Sequence, residues 1–574
     1  MGLWNQLVRP FTMARSTTAM VAGWVACVAI TMSPAIAQER LQSGSAPAAA
    51  ANATEPVLVV TLGSINKLMQ DINYLTSAVG QPQAGGMFTM LAGTFTQGID
   101  MDMPIGVLVP LVDGAPQPIA VIPTTDVKSI LKRLEAQTGP ADELDDGTLV
   151  IAVGVNTVYI RQLGNWAAMA PSKALLDLAP ADPTTLFNGL GNDYDIAFRL
   201  QMQQVPAATR GMLIAQIRQG FEQAMEKQDS ADAEATREIA DGTMKQLEQF
   251  INDTDSLMFG LNIDQPNRNV SINTSFTAVA GTPLADIYGG SKPIPSQFAS
   301  VIRDDAAAYY HAASSISPEA VKQTRTTLKS TISSLGGALE NEDKLNDQQR
   351  ADIRAMVDRV ADLAIASIEE GRADVGALLL ADQNDFRFVF GSFVADGNEV
   401  AQIVKDLAAK VENETDAPRF KFDQSTYKGV TMHMIEADIP AKEDEARRAF
   451  GDTLQVHIGT GAKAVYMAVG RNSDSLLKEL IDNSTLDQGA DRPIGQLKIT
   501  LLPILKYADS IESNDTITAM INALLAAPDQ GQLTAIQDSV PNGQSSVIHV
   551  GEGLLKAISA AVMQSRQGNG GNQF

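Results

Sequence analysis

At 574 residues, 45% of them apolar, the chain is too long for one hydrophobic core and fits roughly three to four domains of ordinary size, or a few large repeats. Its 43 Lys plus Arg against 67 Asp plus Glu give a formal charge of -24, a surface that repels phosphate backbones and anionic membranes and so argues against nucleic acid as a partner. Cys27 is the only cysteine and lies in the N-terminal leader, so the rest of the chain can hold no disulfide, thiolate nucleophile or Cys-ligated metal.

The chain opens with Arg9 and Arg15, an apolar run from Thr17 to Met32, and Ala35-Ile36-Ala37 before Gln38. A basic start, an apolar stretch and an Ala-x-Ala site are the three parts of a secretory signal peptide, so residues 1–37 are expected to leave by cleavage between Ala37 and Gln38. Two other readings exist. The run is barely long enough to stay as a membrane anchor, and Cys27 invites lipidation, although Trp24 stands where a lipidation signal has an aliphatic residue. Cleavage leaves 41 Lys plus Arg against 67 acids, a charge of -26. No later stretch has eighteen continuous apolar residues, so no membrane span is expected after cleavage, and the expected location is the periplasm, the cell surface or the medium. Residues 38–55 are small and polar without apolar period, which predicts a disordered linker.

Order is expected from Val57. VLVVTL at 57–62 reads as a strand, followed by helices from about Ser64 and Gly86. IGVLVPLV and PIAVIPT flank Asp113-Gly114, a hairpin signal. DVKSILKRL at 126–134 places Val127, Ile130, Leu131 and Leu134 on one helix stripe, with Asp126 at the N-terminus. TLVIAVGV and TVYIRQL then read as strands, followed by a helix near 172–178 and the strand DIAFRL at 195–200. Two acidic helical stretches over 207–252 lead to a hairpin turning at Pro266-Asn267.

Much of this order returns. EVAQIVKDL at 399–407 repeats the 126–134 helix, with Val400, Ile403, Val404 and Leu407 as its stripe. Gly106-Val107-Leu108 is answered by Gly376-Ala377-Leu378, Val158-Tyr159-Ile160 by Val465-Tyr466-Met467, and Ser172, Leu175 and Leu176 by Ser473, Leu476 and Leu477. DIAFRL is answered by QLKITL, Pro266-Asn267 by Pro541-Asn542-Gly543, and Gly281 with Leu284 by Gly551 with Leu554. The expected architecture is therefore α+β: two tandem copies of a strand/helix unit, each with its own mainly antiparallel or mixed sheet and helices packed on one face. The units span 56–289 and 304–564, joined by a linker at 290–303, and residues 565–574 form a disordered tail. The second unit reads as enlarged by a helical pair at about 318–336 and 346–370 and by a polar loop around 411–425.

Residues with possible chemistry are scattered. Ser64/Lys67, Ser129/Lys132 and Ser475/Lys478 are Ser-x-x-Lys tetrads, but the Lys-Thr-Gly strand that acyl-transfer enzymes add is absent. Gly459-Thr460-Gly461 resembles a phosphate loop, yet AVYMAVG after it is strand-like, so a hairpin turn is expected. His433 and His457 alternate with apolar neighbours and are placed on solvent-facing sides of their strands, where pairing of the strands would offer a metal only two ligands. Met87, Met90, Met101, Met103, Met432 and Met434 have spacings that suit Cu(I), but Met87, Leu91, Phe95 and Ile99 form a stripe that asks for a core. Trp166, the one tryptophan outside the leader, makes no sugar platform. No residue is assigned to catalysis, to a cofactor or to a metal.

An Ala-x-Ala signal, an Ala-rich tether, a cysteine-free acidic body and a duplicated α+β unit together resemble the uncharacterised exported proteins of planctomycete-type bacteria. That resemblance implies an envelope location and no particular activity. The expected function is a non-catalytic envelope or cell-surface protein, structural or binding. The alternatives are a carrier of an apolar small ligand between helix layer and sheet, and a hydrolase with an unfamiliar motif.

Overall fold

The computed structural model describes residues 55–226, 233–340, 346–411, 417–484 and 492–570. The leader, with Ala35, Ala37 and Gln38, lies outside them. Up to Gly289 the chain forms β1 (Leu58–Leu62), α1 (Ile65–Ala78), α2 (Pro82–Phe95), β2 (Ile105–Val109), β3 (Leu111–Val112), β4 (Ala115–Pro116), β5 (Ile119–Pro123) and α3 (Val127–Thr138). There follow β6 (Asp142–Glu143), β7 (Leu149–Val153), β8 (Asn156–Leu163), β9 (Trp166–Ala170), α4 (Lys173–Leu176), α5 (Thr184–Phe187), α6 (Leu190–Asp193) and β10 (Ile196–Gln201). This part closes with α7 (Ala207–Glu226), α8 (Ala233–Asp253), β11 (Thr254–Asp264), β12 (Asn269–Ala278) and α9 (Pro283–Gly289). After it come β13 (Ala308–Ser315), α10 (Pro318–Glu340), α11 (Asp347–Glu369), β14 (Arg372–Ala381), β15 (Phe386–Phe393), α12 (Gly397–Val411), β16 (Arg419–Tyr427), β17 (Val430–Asp438) and α13 (Asp444–Phe450). The last elements are β18 (Thr453–Thr460), β19 (Ala464–Gly470), α14 (Ser473–Asp482), β20 (Gly495–Thr500), α15 (Leu501–Ile511), α16 (Asp515–Leu525), β21 (Gln532–Val540), β22 (Gly543–Gly551) and α17 (Glu552–Gly570).

The fold is α+β around one antiparallel sheet of 20 strands; β3 and β4 make a separate small hairpin. From one edge to the middle the order is β6-β7-β8-β9-β5-β2-β1-β10-β11-β12. From the other edge inward it is β16-β17-β18-β19-β15-β14-β13-β20-β21-β22. The two runs meet where β12 pairs with β22, from Asn269 opposite Gly551 to Thr277 opposite Gly543. The expectation of a separate sheet for each unit is thereby overturned: β12 and β22 would each leave a row of unpaired N–H and C=O groups, and they satisfy each other.

Turn chemistry places the hairpins as the sequence predicts. Asp113 and Gly114 both have positive φ, 52° and 78°, the backbone of a tight hairpin turn. Asp126 caps α3 by accepting from Ser129 N at 3.1 Å.

Helices cover both faces of the sheet, which corrects the one-face expectation. Val127 and Leu131 of α3 pack with Leu149 and Ile160, while Leu175 and Leu176 of α4 pack with Val121 and Ala168 on the opposite side. Strands such as IGVLV and IAVIP are apolar at consecutive positions, so both of their faces need cover. On the α3 stripe Val127, Ile130 and Leu131 are buried and Leu134 is half-buried; of the α12 stripe Ile403 is buried and Val400, Val404 and Leu407 are half-buried.

Three other expectations change. The 290–303 segment is no loose linker: Phe298 and Val301 are fully buried in the second half's core, and Gly376 and Gly391 lie where any Cβ would meet the Phe298 side chain. Of the loop expected around 411–425, residues 412–416 lie outside the described residues, and 419–427 form the edge strand β16. α17 runs to Gly570, into the stretch expected as tail.

Candidate functional site

The Ser-x-x-Lys tetrads separate serine from lysine. Ser64 caps α1, accepting from Lys67 N at 3.2 Å, while Lys67 Nζ reaches Asp71 at 3.0 Å, Asn262 at 3.0 Å and Asp195. Asp195 is fully buried and also accepts from Ile263 N at 2.6 Å; burial is the largest influence on its carboxyl and raises its pKa. Ser129 Oγ donates to Asp126 at 2.5 Å, and Ser475 Oγ donates to the Asn472 carbonyl at 2.8 Å. Each serine has a local structural role.

A Ser, a His and an Asp do come together where no motif announced them. Ser296 Oγ lies 2.9 Å from His311 Nε2 and donates to Asp374 Oδ1 at 2.6 Å. Asp374 Oδ2 accepts from Gln297 N at 2.8 Å and from Arg372 at 3.0 Å. The serine stands between the histidine and the carboxylate, whereas a catalytic triad puts the histidine in the middle. All three side chains are closed off from solvent. The cluster fastens the 290–303 segment to β13 and β14, and burial raises the Asp374 pKa despite the Arg372 partner.

His433 is buried, against expectation, because Phe422, Asp423 and Thr460 close over it on the side of the strand away from Val430 and Met432. Its Nδ1 accepts from Asp423 N at 3.1 Å and its Nε2 lies 3.0 Å from Thr460 Oγ1. In the β17–β18 register His433 stands opposite Ile458 and His457 opposite Met434, so the two imidazoles point to opposite faces and form no ligand pair. Among the described residues no group of three or more His, Cys, Asp or Glu could hold a metal ion. Gly459 and Thr460 end β18 and the chain turns into β19, as a hairpin rather than a phosphate loop. Trp166 is core, edge-on to Phe187 at 6.0 Å. The methionines do not gather: Met103 packs on the first core, Met432 lies in the second, and Met87 and Met90 are exposed. The Met87, Leu91, Phe95 stripe is therefore surface and not core.

What the geometry does bring together is an apolar sheet face left partly open. Ile105, Leu62, Ile196, Leu261 and Ile272 stand side by side on β2, β1, β10, β11 and β12, and the row crosses the middle to Ile548, Ala535 and Leu497. Leu62 is 38% exposed and Ile196 41%, and Phe198, two residues along β10, is 38% exposed and stacked on Phe259 at 5.5 Å. Thr61 and Ala197, their neighbours on the other face, are fully buried. Along the Phe198 rung the side chains become polar and uncharged at Thr274, Ser546 and Gln537, and Gln537 donates to Gln544 at 3.0 Å. Ser546 and Gln537 are themselves buried, so the open part of the face is the apolar stretch around Leu62, Ile196 and Phe198, which suits a ligand with an apolar body.

The chain matches no protein-family model, no curated protein and no solved structure. Its surface must therefore be read from its own chemistry. Leu62, Ile196 and Phe198 escaped notice in the sequence because strand alternation marks two faces without telling which one helices leave open. The visible signal was that β1 and β2 are largely apolar on both faces.

Proposed function

We propose that this chain is an exported, non-catalytic binding protein of the bacterial envelope or cell surface, which takes an apolar ligand on the open stretch of its sheet. The observation that carries the reading is the exposure of Leu62, Ile196 and Phe198 on adjacent strands in register. Solvent-exposed side chains of this size in one patch mark an interaction site. Export rests on Arg9, Arg15, the apolar run and Ala35-Ile36-Ala37, and kinship with the exported planctomycete-type proteins rests on the same organisation.

The proposal includes a body made of two tandem copies. In its support, the ten strands of each half follow one another across the sheet in the same relative order, and each half opens on a strand followed by two helices. On this reading the α10–α11 pair is the counterpart of α1–α2, not an insertion. Equivalent places also share chemistry. Gly106 on β2 leaves room for Phe187 and Gly376 on β14 leaves room for Phe298.

Native mass spectrometry of the protein purified without detergent from its host's envelope tests the reading. The expected result is a chain beginning at Gln38 that carries an extractable apolar molecule. A chain recovered only from the cytosol with Met1 to Ala37 intact, or an envelope protein that neither carries nor takes up an apolar ligand, would overturn it.

A further inference from the structure

Resting in part on that reading, we infer that α2 is a lipid-docking element, by which the protein seats on an uncharged or zwitterionic bilayer surface. α2 is folded inside out. Its small and polar side faces α1: Gly85 is buried so closely that a Cβ would collide with Asn73 and Thr76, and Asn73 Nδ2 donates to Thr89 at 3.0 Å. Its apolar side faces water, with Met87 62%, Met90 68% and Phe95 64% exposed beside Phe88 and Leu91. A helix partnered only by water and its own protein turns that arc inward. A Cβ added at Gly86 or Gly93 would meet open space, so none of the described residues covers these two positions.

The apolar surface continues onto α17. Ser559 Oγ donates to the Val79 carbonyl at 2.7 Å, and a Cβ at Gly80 would lie 3.4 Å from Met563 Cε. The exposed Ile558, Val562 and Met563 therefore adjoin the turn into α2.

Charge selects the occupant. Residues 72–99 contain no Asp, Glu, Lys, Arg or His, in a chain where 19% of residues are charged. A protein partner is ordinarily held in register by a polar and charged rim, whereas an apolar interface layer asks only that charge be absent. In the proposed two-copy scheme the counterpart of α2 is α11, and it behaves oppositely: Arg359 binds Glu399 at 2.7 Å and also Asp406, and Asp352 binds Lys410 at 2.8 Å, fastening it to α12. Arg133 donates to the Gln97 carbonyl just past the end of α2, but the mature chain's charge of -26 and the charge-free stretch 72–99 leave the helix without the basic cluster that attracts anionic lipid.

Flotation of the full mature chain with vesicles tests this. Phosphatidylcholine vesicles are expected to carry the protein upward. Adding phosphatidylglycerol reduces the floated fraction, and salt restores it. The triple variant Met87→Gln, Leu91→Gln, Phe95→Gln should partition at least about tenfold less while unfolding at the same temperature, because its changed side chains touch no core. The inference fails if the wild type stays with the lipid-free fraction, or if the triple variant floats equally well. It fails also if light scattering without lipid shows a dimer that the triple variant dissolves, since a second copy would then cover α2. Probe binding that depends on Phe198 but survives the triple variant, alongside absent flotation, would sink this inference alone and leave the ligand reading standing.

Discussion

His433 shows how one buried side chain ties stability to pH. Its Nδ1 accepts a backbone N–H from Asp423, which puts the proton of the neutral ring on Nε2, facing Thr460. Protonating Nδ1 would aim two donors at each other. Burial holds the His433 pKa below its ordinary value and outweighs the opposing pull of Asp423; burial does the same to His457 and His549. A depressed histidine means that the unfolded chain binds more protons. The stabilisation is thus complete above the ordinary histidine value and is lost as pH falls through it toward the folded value. Asp195 and Asp374 act with the opposite sign, because their raised values favour the folded state at low pH and lose that contribution as pH rises through them. Comparing wild type with His433→Gln isolates the histidine. The wild type's stability advantage, read from denaturant unfolding, should shrink between about pH 7.5 and 5.5. An advantage constant across that range would refute this account of His433.

At the scale of elements, α3 carries the clearest energetic consequence. Leu131 is buried against Leu149 and Ile160, so Leu131→Ala should cost about 2–4 kcal/mol, while Leu134→Ala, at a half-buried position, should cost less. Urea unfolding of the two variants measures this, and equal losses would contradict the packing. The helix was legible because a stripe at i, i+3, i+4 and i+7 and a capping Asp126 report the same local geometry. Three features were not legible. Phe298 reads as a residue in a Pro- and Ser-flanked linker, and only the glycines opposite it, distant in sequence, show that it fills a core. Arg419-Phe420-Lys421-Phe422 alternates as a strand does, but the polar residues after it, at the shift in register between Lys421 and Ser425, hide the signal. The α2 stripe has helical spacing whether it faces a core or water, since periodicity defines a face without saying what covers it.

For the whole molecule, the sequence spoke through order more than through single matches. DVKSILKRL with EVAQIVKDL, and DIAFRL with QLKITL, fall on elements that hold the same place in the two runs of strands. Val158-Tyr159-Ile160 and Val465-Tyr466-Met467 do not, since they lie on β8 and β19, third and fourth from the edges of their runs. Joining at β12 and β22 could not be read from the chain, because edge pairing depends on backbone groups that every residue carries. The same joining makes one apolar row from Ile105 through Leu62, Ile196 and Ile272 to Ile548 and Leu497, and the open stretch of that row is the proposed binding surface. Titrating the mature chain with the fluorescent apolar probe N-phenyl-1-naphthylamine tests it most directly. Saturable binding should weaken at least about tenfold in Phe198→Asp, which sets a charge in the apolar surface, and stay unchanged in Val155→Asp, where the side chain is fully exposed at a hairpin turn. Absent binding, or binding equally strong in Phe198→Asp, would contradict the account.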